Sequence, residues 1–161
     1  MRTLQMVRPF LDQIQQEARG AYPDEACGFL FSASGEADEP VRRVSGIEAA
    51  TNSTPGERRR RFVITPTDLA AAEQRAERRG ELVSGFYHSH PDHPAVPSAF
   101  DTEHAWPWYA YVVVAVDERG ACGAGVFELD AGASHFLPRR LEVISPRPEG
   151  PGETTAVPSR G

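Results

Sequence analysis

The stretch 88-HSHPDHPAVPSAFD-101 decides how this chain folds. Before it, Val83 to His88 reads as a buried strand, with Val83, Phe86 and Tyr87 apolar or aromatic and Gly85 small. Side chains two apart in an extended chain share a face, so His88 and His90 present both imidazoles on one side and Ser89 points away. Pro91 cannot continue a central strand, so the chain turns there. Pro94 and Pro97 stiffen the loop that follows. Ser98 stands where a helix starts, and Asp101, one turn in, can aim its carboxylate back at the strand end. Two imidazoles and one carboxylate leave a fourth tetrahedral position open for water, the ligand set of a catalytic zinc site rather than a structural one. Ser98 and Asp101 also match an S-x-x-D capping box, which needs no metal; the two roles are compatible. His93 and His104 are spare candidates for the third ligand. His93, mid-loop between prolines, reads as solvent-facing, and His104, a turn beyond Asp101, as a supporting or surface residue.

In its spacing, H-x-H-P-x6-S-x-x-D from His88 to Asp101 resembles the signature of the JAMM (MPN+) metalloprotease family. That family also has a glutamate upstream, at the end of the first helix and just before a strand. YPDEACGFLF, residues 22–31, supplies it as Glu25. The resemblance covers roughly residues 4 to 143. It implies an α/β domain with a single mixed, curved β-sheet flanked by helices, a fold akin to that of the cytidine deaminases.

Zinc on His88, His90 and Asp101 would lower the pKa of its water toward ~7. Glu25 is the expected proton acceptor and later donor, since a carboxylate beside that water can do both. Its bland alternative is an exposed residue at a strand start. Ser98 is expected to donate its hydroxyl to the developing oxyanion. The family assigns these roles to the matching positions. Three rivals stand beside this reading: a metal-free MPN-type scaffold or interaction protein, a two-histidine, one-carboxylate iron oxygenase, and a zinc deaminase. Scaffolds lose ligands, and this chain keeps them all. The oxygenase site gives the S-x-x-D no role. Deaminases need H-x-E with P-C-x-x-C, which Cys27 and Cys122 cannot form.

At 161 residues the chain is expected to be one domain, residues 1–144, with a disordered proline- and glycine-rich tail over 145–161. The apolar fraction of 40% and charged fraction of 25% are ordinary for a globular protein. The net charge of −6 argues against a general nucleic-acid binder. No apolar run reaches membrane-spanning length and the N-terminus lacks a signal-peptide core, so the expected compartment is the cytoplasm. Two cysteines, Cys27 and Cys122, make no disulfide framework, and both are expected reduced and buried.

Along the chain, Thr3–Val7 reads as a strand and Pro9 as the start of a helix buried through Phe10, Leu11, Ile14 and Ala18. Cys27–Phe31 reads as a central strand, hairpinned to a second over Val41–Ile47. The loop from Thr51 carries Arg58 to Arg61, a solvated rim or a docking surface for an acidic partner. Phe62–Ile64 reads as a short strand, and Thr65, Pro66 and Asp68 cap a helix that stops at Gly80. Tyr109–Val116, Gly123–Leu129 and Ser134–Ile144 read as a meander. The resemblance implies cleavage after the C-terminal Gly-Gly of a ubiquitin-like protein. Stand-alone bacterial members point to a ubiquitin-like sulphur carrier, with cysteine or another amine released. The oligomeric state is left open, a homodimer included.

Overall fold

The elements begin and end where local chemistry sets them. The computed structural model describes residues 1–36, 40–50 and 63–147, with the backbone alone at 121 and 122. Strand β1 (Thr3–Val7) runs straight into helix α1 (Arg8–Ala21), with Pro9 in the first turn and Leu11, Ile14 and Ala18 as its buried stripe. There follow β2 (Cys27–Ala33), β3 (Val41–Arg43) and β4 (Gly46–Ala50). Helix α2 (Pro66–Glu77) starts on a capping box between Thr65 and Asp68. Gly80, at φ +69°, turns the chain into β5 (Glu81–Pro91). The short α3 (Ala99–His104), β6 (Ala110–Asp117), β7 (Gly120–Leu129) and β8 (Phe136–Ile144) complete the order.

The strands form one mixed sheet in the order β3-β1-β8-β7-β6-β5-β2-β4. β3 and β4 lie at its opposite ends, yet only Val44 and Ser45 separate them in the chain, a reach on the order of 10 Å. The sheet is therefore curled into a half-barrel whose ends nearly meet. Val44 N–H donates to Gln5 O in β1, and Ser45 N–H to Phe31 O in β2, each at 2.8 Å. This corrects the expectation of one strand over Val41–Ile47 hairpinned to Cys27–Phe31. β3 pairs parallel with β1, and only β4 pairs with β2. Val44, buried at the corner, is where the curl breaks the run.

The two faces carry separate cores. On one, α1 covers Leu4, Met6, Leu30, Tyr87, Val112 and Val114. On the other, α2 covers Phe29, Phe31, Val83, Phe86 and Tyr111. β5 is paired on both sides, antiparallel to β2 and parallel to β6, which is why it reads as almost continuously buried. The expected strand at Phe62–Ile64 is not formed at Val63 and Ile64, where the chain has no regular structure and Ile64 plugs the α2-side core. Phe62, Arg58 to Arg61 and residues 148–161 of the expected tail lie outside the described residues. β7 begins earlier and β8 later than expected, at Gly120 and Phe136. No helix among the described residues is long and apolar enough to cross a membrane.

Gly28 lies where β2 crosses Tyr87. A Cβ there would sit 2.2 Å from the Tyr87 ring and 2.4 Å from the Glu48 carbonyl, and the carbonyl cannot swing aside. Gly28→Ala is expected to destabilise the fold by about 1–3 kcal/mol, read as a lower urea midpoint with an unchanged slope.

Candidate metal centre

Period-two alternation at the end of β5 puts His88 and His90 on one face, as expected; that face is the α2 side of the sheet, and Asp101 comes to them from the first turn of α3. The three donor atoms form a tight triangle. His88 Nε2 lies 3.0 Å from His90 Nε2, and Asp101 Oδ2 lies 3.2 and 3.1 Å from the two nitrogens. Ligand bonds of roughly 2.0–2.1 Å in tetrahedral geometry need donors roughly 3.3 Å apart. The triangle is close to that size, and the group as a whole is placed to hold a metal ion.

The surroundings orient each donor. His90 Nδ1 lies 3.0 Å from the Pro94 carbonyl, which can only accept. Nδ1 therefore carries the proton, and Nε2 offers a lone pair to the centre. The Ser98–Asp101 capping box is formed: Ser98 N–H donates to Asp101 Oδ2 at 2.7 Å, and Asp101 N–H donates to Ser98 Oγ at 3.1 Å. The carboxylate that faces both imidazoles is thus the one that caps the helix. Burial works against the charge on Asp101. The facing side chains of His88 and His90, with the Ser98 N–H, outweigh it and hold the carboxyl below the usual range. Ser98 Oγ, as an acceptor, keeps its own proton to donate.

Glu25 is 5% exposed, so its alternative as a surface strand residue is excluded. It shares with His90, His93, Pro94 and Ser98 a cavity of about 430 Å³. Its Oε2 is buried without a hydrogen-bond partner in the structure. Burial, and then the charge of Asp101, push its carboxyl up to about 8. A buried carboxylate oxygen without a partner costs stability, and a perturbed carboxyl lining a cavity marks a candidate functional group.

On the other side of the triangle is an apolar cavity of about 220 Å³, lined by Ile64, Phe86, His88, Asp101, Trp106 and Tyr111. Sequence reading did not find it; the aromatic run from Trp106 to Tyr111 was its only local trace. His93 and His104 are exposed and do not join the triangle. His104 instead stacks on Phe100, with its Nδ1 2.9 Å from the Phe100 carbonyl. Cys27 is buried with a free thiol, as expected, and the Cys122 side chain lies outside the described residues.

Known proteins share this frame. A family model described as prokaryotic homologs of the JAB domain matches residues 7–124. A desampylase from Haloferax volcanii is 34% identical over 110 residues, 68% of this chain and 75% of the relative. A solved structure from Salinibacter ruber is 38% identical, covers 94% of this chain and 95% of its own, and superposes at a TM-score of 0.65. One from Desulfitobacterium hafniense superposes at 0.75 with 22% identity, covering 89% of this chain and 94% of its own. A JAB1/MPN domain protein from Archaeoglobus fulgidus superposes at 0.52 with 19% identity, covering 88% and 98%. At such low identity these last two show the fold alone.

The raised Glu25 pKa makes a pH prediction for chelator-treated protein. The folded state holds the Glu25 proton from its ordinary value, 4.5, up to about 8, so the stability this residue contributes is present below that window and lost as pH rises through it. Glu25→Gln removes the buried charge. It should melt above the parent at pH 8, with the gap closing toward pH 5. A gap that stays level across that range would contradict the buried-charge account.

Proposed function

This chain belongs to the family of prokaryotic homologs of the JAB domain, and from that premise we propose that it is a zinc-dependent peptidase. It hydrolyses the peptide or isopeptide bond that follows the C-terminal Gly-Gly of a ubiquitin-like protein, a sulphur carrier among the candidates. The observation that carries this reading is the convergence of His88, His90 and Asp101 beside a buried, unpartnered Glu25 carboxylate oxygen. The similarity to a desampylase fits it.

His88, His90 and Asp101 would hold the ion. When bound, zinc supplies a Lewis acid that polarises the scissile carbonyl and makes water acidic enough to react at neutral pH. The protein's own groups do the rest. Glu25 takes the proton of the attacking water and returns it to the leaving amine. Its raised affinity for a proton suits the second step, and the neighbouring cation supports the charged form in the first. The Ser98 hydroxyl donates to the oxygen that gains charge in the transition state. Asp101, held by the cap, keeps its carboxylate aimed at the centre. A glycine before the scissile bond lets the substrate backbone come close to these groups.

The deciding experiment incubates zinc-loaded protein with ubiquitin-like carriers bearing cysteine or lysine on the terminal glycine and follows the products by mass spectrometry. Cleavage after Gly-Gly is expected. Intact adducts throughout would leave the scaffold reading in its place. His88→Ala and Asp101→Ala should lose zinc and activity together, and full zinc by elemental analysis in either would remove that residue from the ligand set. Glu25→Gln should keep zinc and lose ~100- to 10,000-fold in turnover. Ser98→Ala should show a smaller loss, with about 1 kcal/mol of stability gone with the cap.

A further inference from the structure

A general base works only within hydrogen-bond reach of the proton it takes. Glu25, however, stands in the irregular segment 22–26 between α1 and β2. What holds it there is in β5. Cys27 pairs with His88 in antiparallel register, so Ala26 comes next to Ser89. Ser89 N–H donates to Ala26 O at 2.9 Å. Regular pairing would return a bond from Ala26 N–H to the Ser89 carbonyl. Instead Ala26 N–H donates to the Ser89 hydroxyl oxygen at 2.8 Å. The side chain takes the place of the main-chain acceptor in the last rung. The backbone can then leave the ladder at Ala26 while both of its polar atoms stay held. At the other end of the segment, the Tyr22 hydroxyl meets both oxygens of Asp92 at 3.1 Å, just past the end of β5. Glu25 is therefore suspended between two anchors on one strand end.

We infer that Ser89 is the positioning residue for Glu25: its buried hydroxyl locks the Ala26 amide and thereby sets where the Glu25 carboxylate stands over the site. The inference rests on the role assigned to Glu25 above. Ser89 lies between His88 and His90 in sequence but on the opposite face of the strand, so it acts on the base without touching the donor atoms. Threonine offers the same hydroxyl, and alanine removes it while leaving space.

The test compares Ser89→Ala and Ser89→Thr with the parent in three readouts: zinc content, exchange of the Ala26 amide by NMR, and kcat and KM on a Gly-Gly adduct. Ser89→Ala should bind zinc fully and keep KM. Its Ala26 amide should exchange roughly tenfold faster, and its kcat should fall roughly 10- to 100-fold. Ser89→Thr should restore both. Loss of zinc in Ser89→Ala, unchanged Ala26 exchange, or a lower melting temperature with parental kcat would each overturn the inference. If the parent cleaves no adduct, the proposed function fails separately. The Ala26 exchange and a crystal structure of Ser89→Ala still decide the positioning role, which is overturned by a Glu25 carboxylate left in place. Should Ser89→Ala not fold, Ser89→Cys, a weaker acceptor on a slightly larger side chain, carries the comparison.

Discussion

Three atoms bearing lone pairs, held 3.0 to 3.2 Å apart, repel one another unless a cation or a shared proton lies among them. The rest of the structure makes that convergence bearable. Two of the atoms come from an interior strand, paired at His88 with Cys27 on one side and Val113 on the other. The His88 backbone is thus held by two ladders and that of His90 by its pairing with Ala115 of β6. The third comes from α3, a helix of six residues. So short a helix has little stability of its own, and its capping box is part of what forms it. Asp101 therefore cannot relax away from the imidazoles without uncapping the helix that carries it.

Glu25 shows the opposite economy. Most of the chain satisfies its buried polar groups: Ser32 bonds Ser84, Ser84 bonds the Leu30 carbonyl, and Arg42 reaches the carbonyls of Ser84 and Trp108. Glu25 Oε2 does not follow that rule. Folding against local preference at a single carboxylate is tolerable when the surrounding sheet is cooperative, and such departures concentrate where chemistry is done. The anchors at Ala26 and Tyr22 are what keep the exception from being relieved by a small shift of the loop.

Much of the site could be read from the sequence because the rules that build it are local. Period two places His88 and His90 on one face, Pro91 ends the strand, and S-x-x-D starts a helix. These hold whatever the rest of the fold does. Strand partnership is not local. Val41–Ile47 alternates like one strand, but its break at Val44 follows from the curl of the whole sheet, which no short window contains. The parallel pairing of β5 with β6 likewise depends on α3 carrying the chain back across the sheet. Glu25 could be placed by family resemblance, but its burial could not be seen. The groups around it, Ser89, His90 and Pro94 to Ser98, come from more than sixty positions away. The prolines of the loop were legible as stiffeners. That the Pro94 carbonyl selects the tautomer of His90 appears only once the loop is folded.

Cys27 sharpens the chemical character of the centre. It lies opposite His88 in the β2–β5 register, so cross-strand side chains there stand roughly 4.5–5.5 Å apart at Cβ. That separation alone would allow a thiolate ligand. Yet the thiol is turned toward the Ala50 carbonyl on β4, 3.6 Å away. Burial, and after it the charges of Glu25, Asp68 and Glu17, push it up to about 12. A cysteine ligates as thiolate, and burial disfavours that form here. The grouped donors are accordingly two nitrogens and one oxygen, without the thiol. A divalent ion held by one carboxylate and two neutral imidazoles would retain a net positive charge, which a second anionic ligand would cancel. Under the proposed function, that residual charge would stabilise an oxygen gaining negative charge beside it.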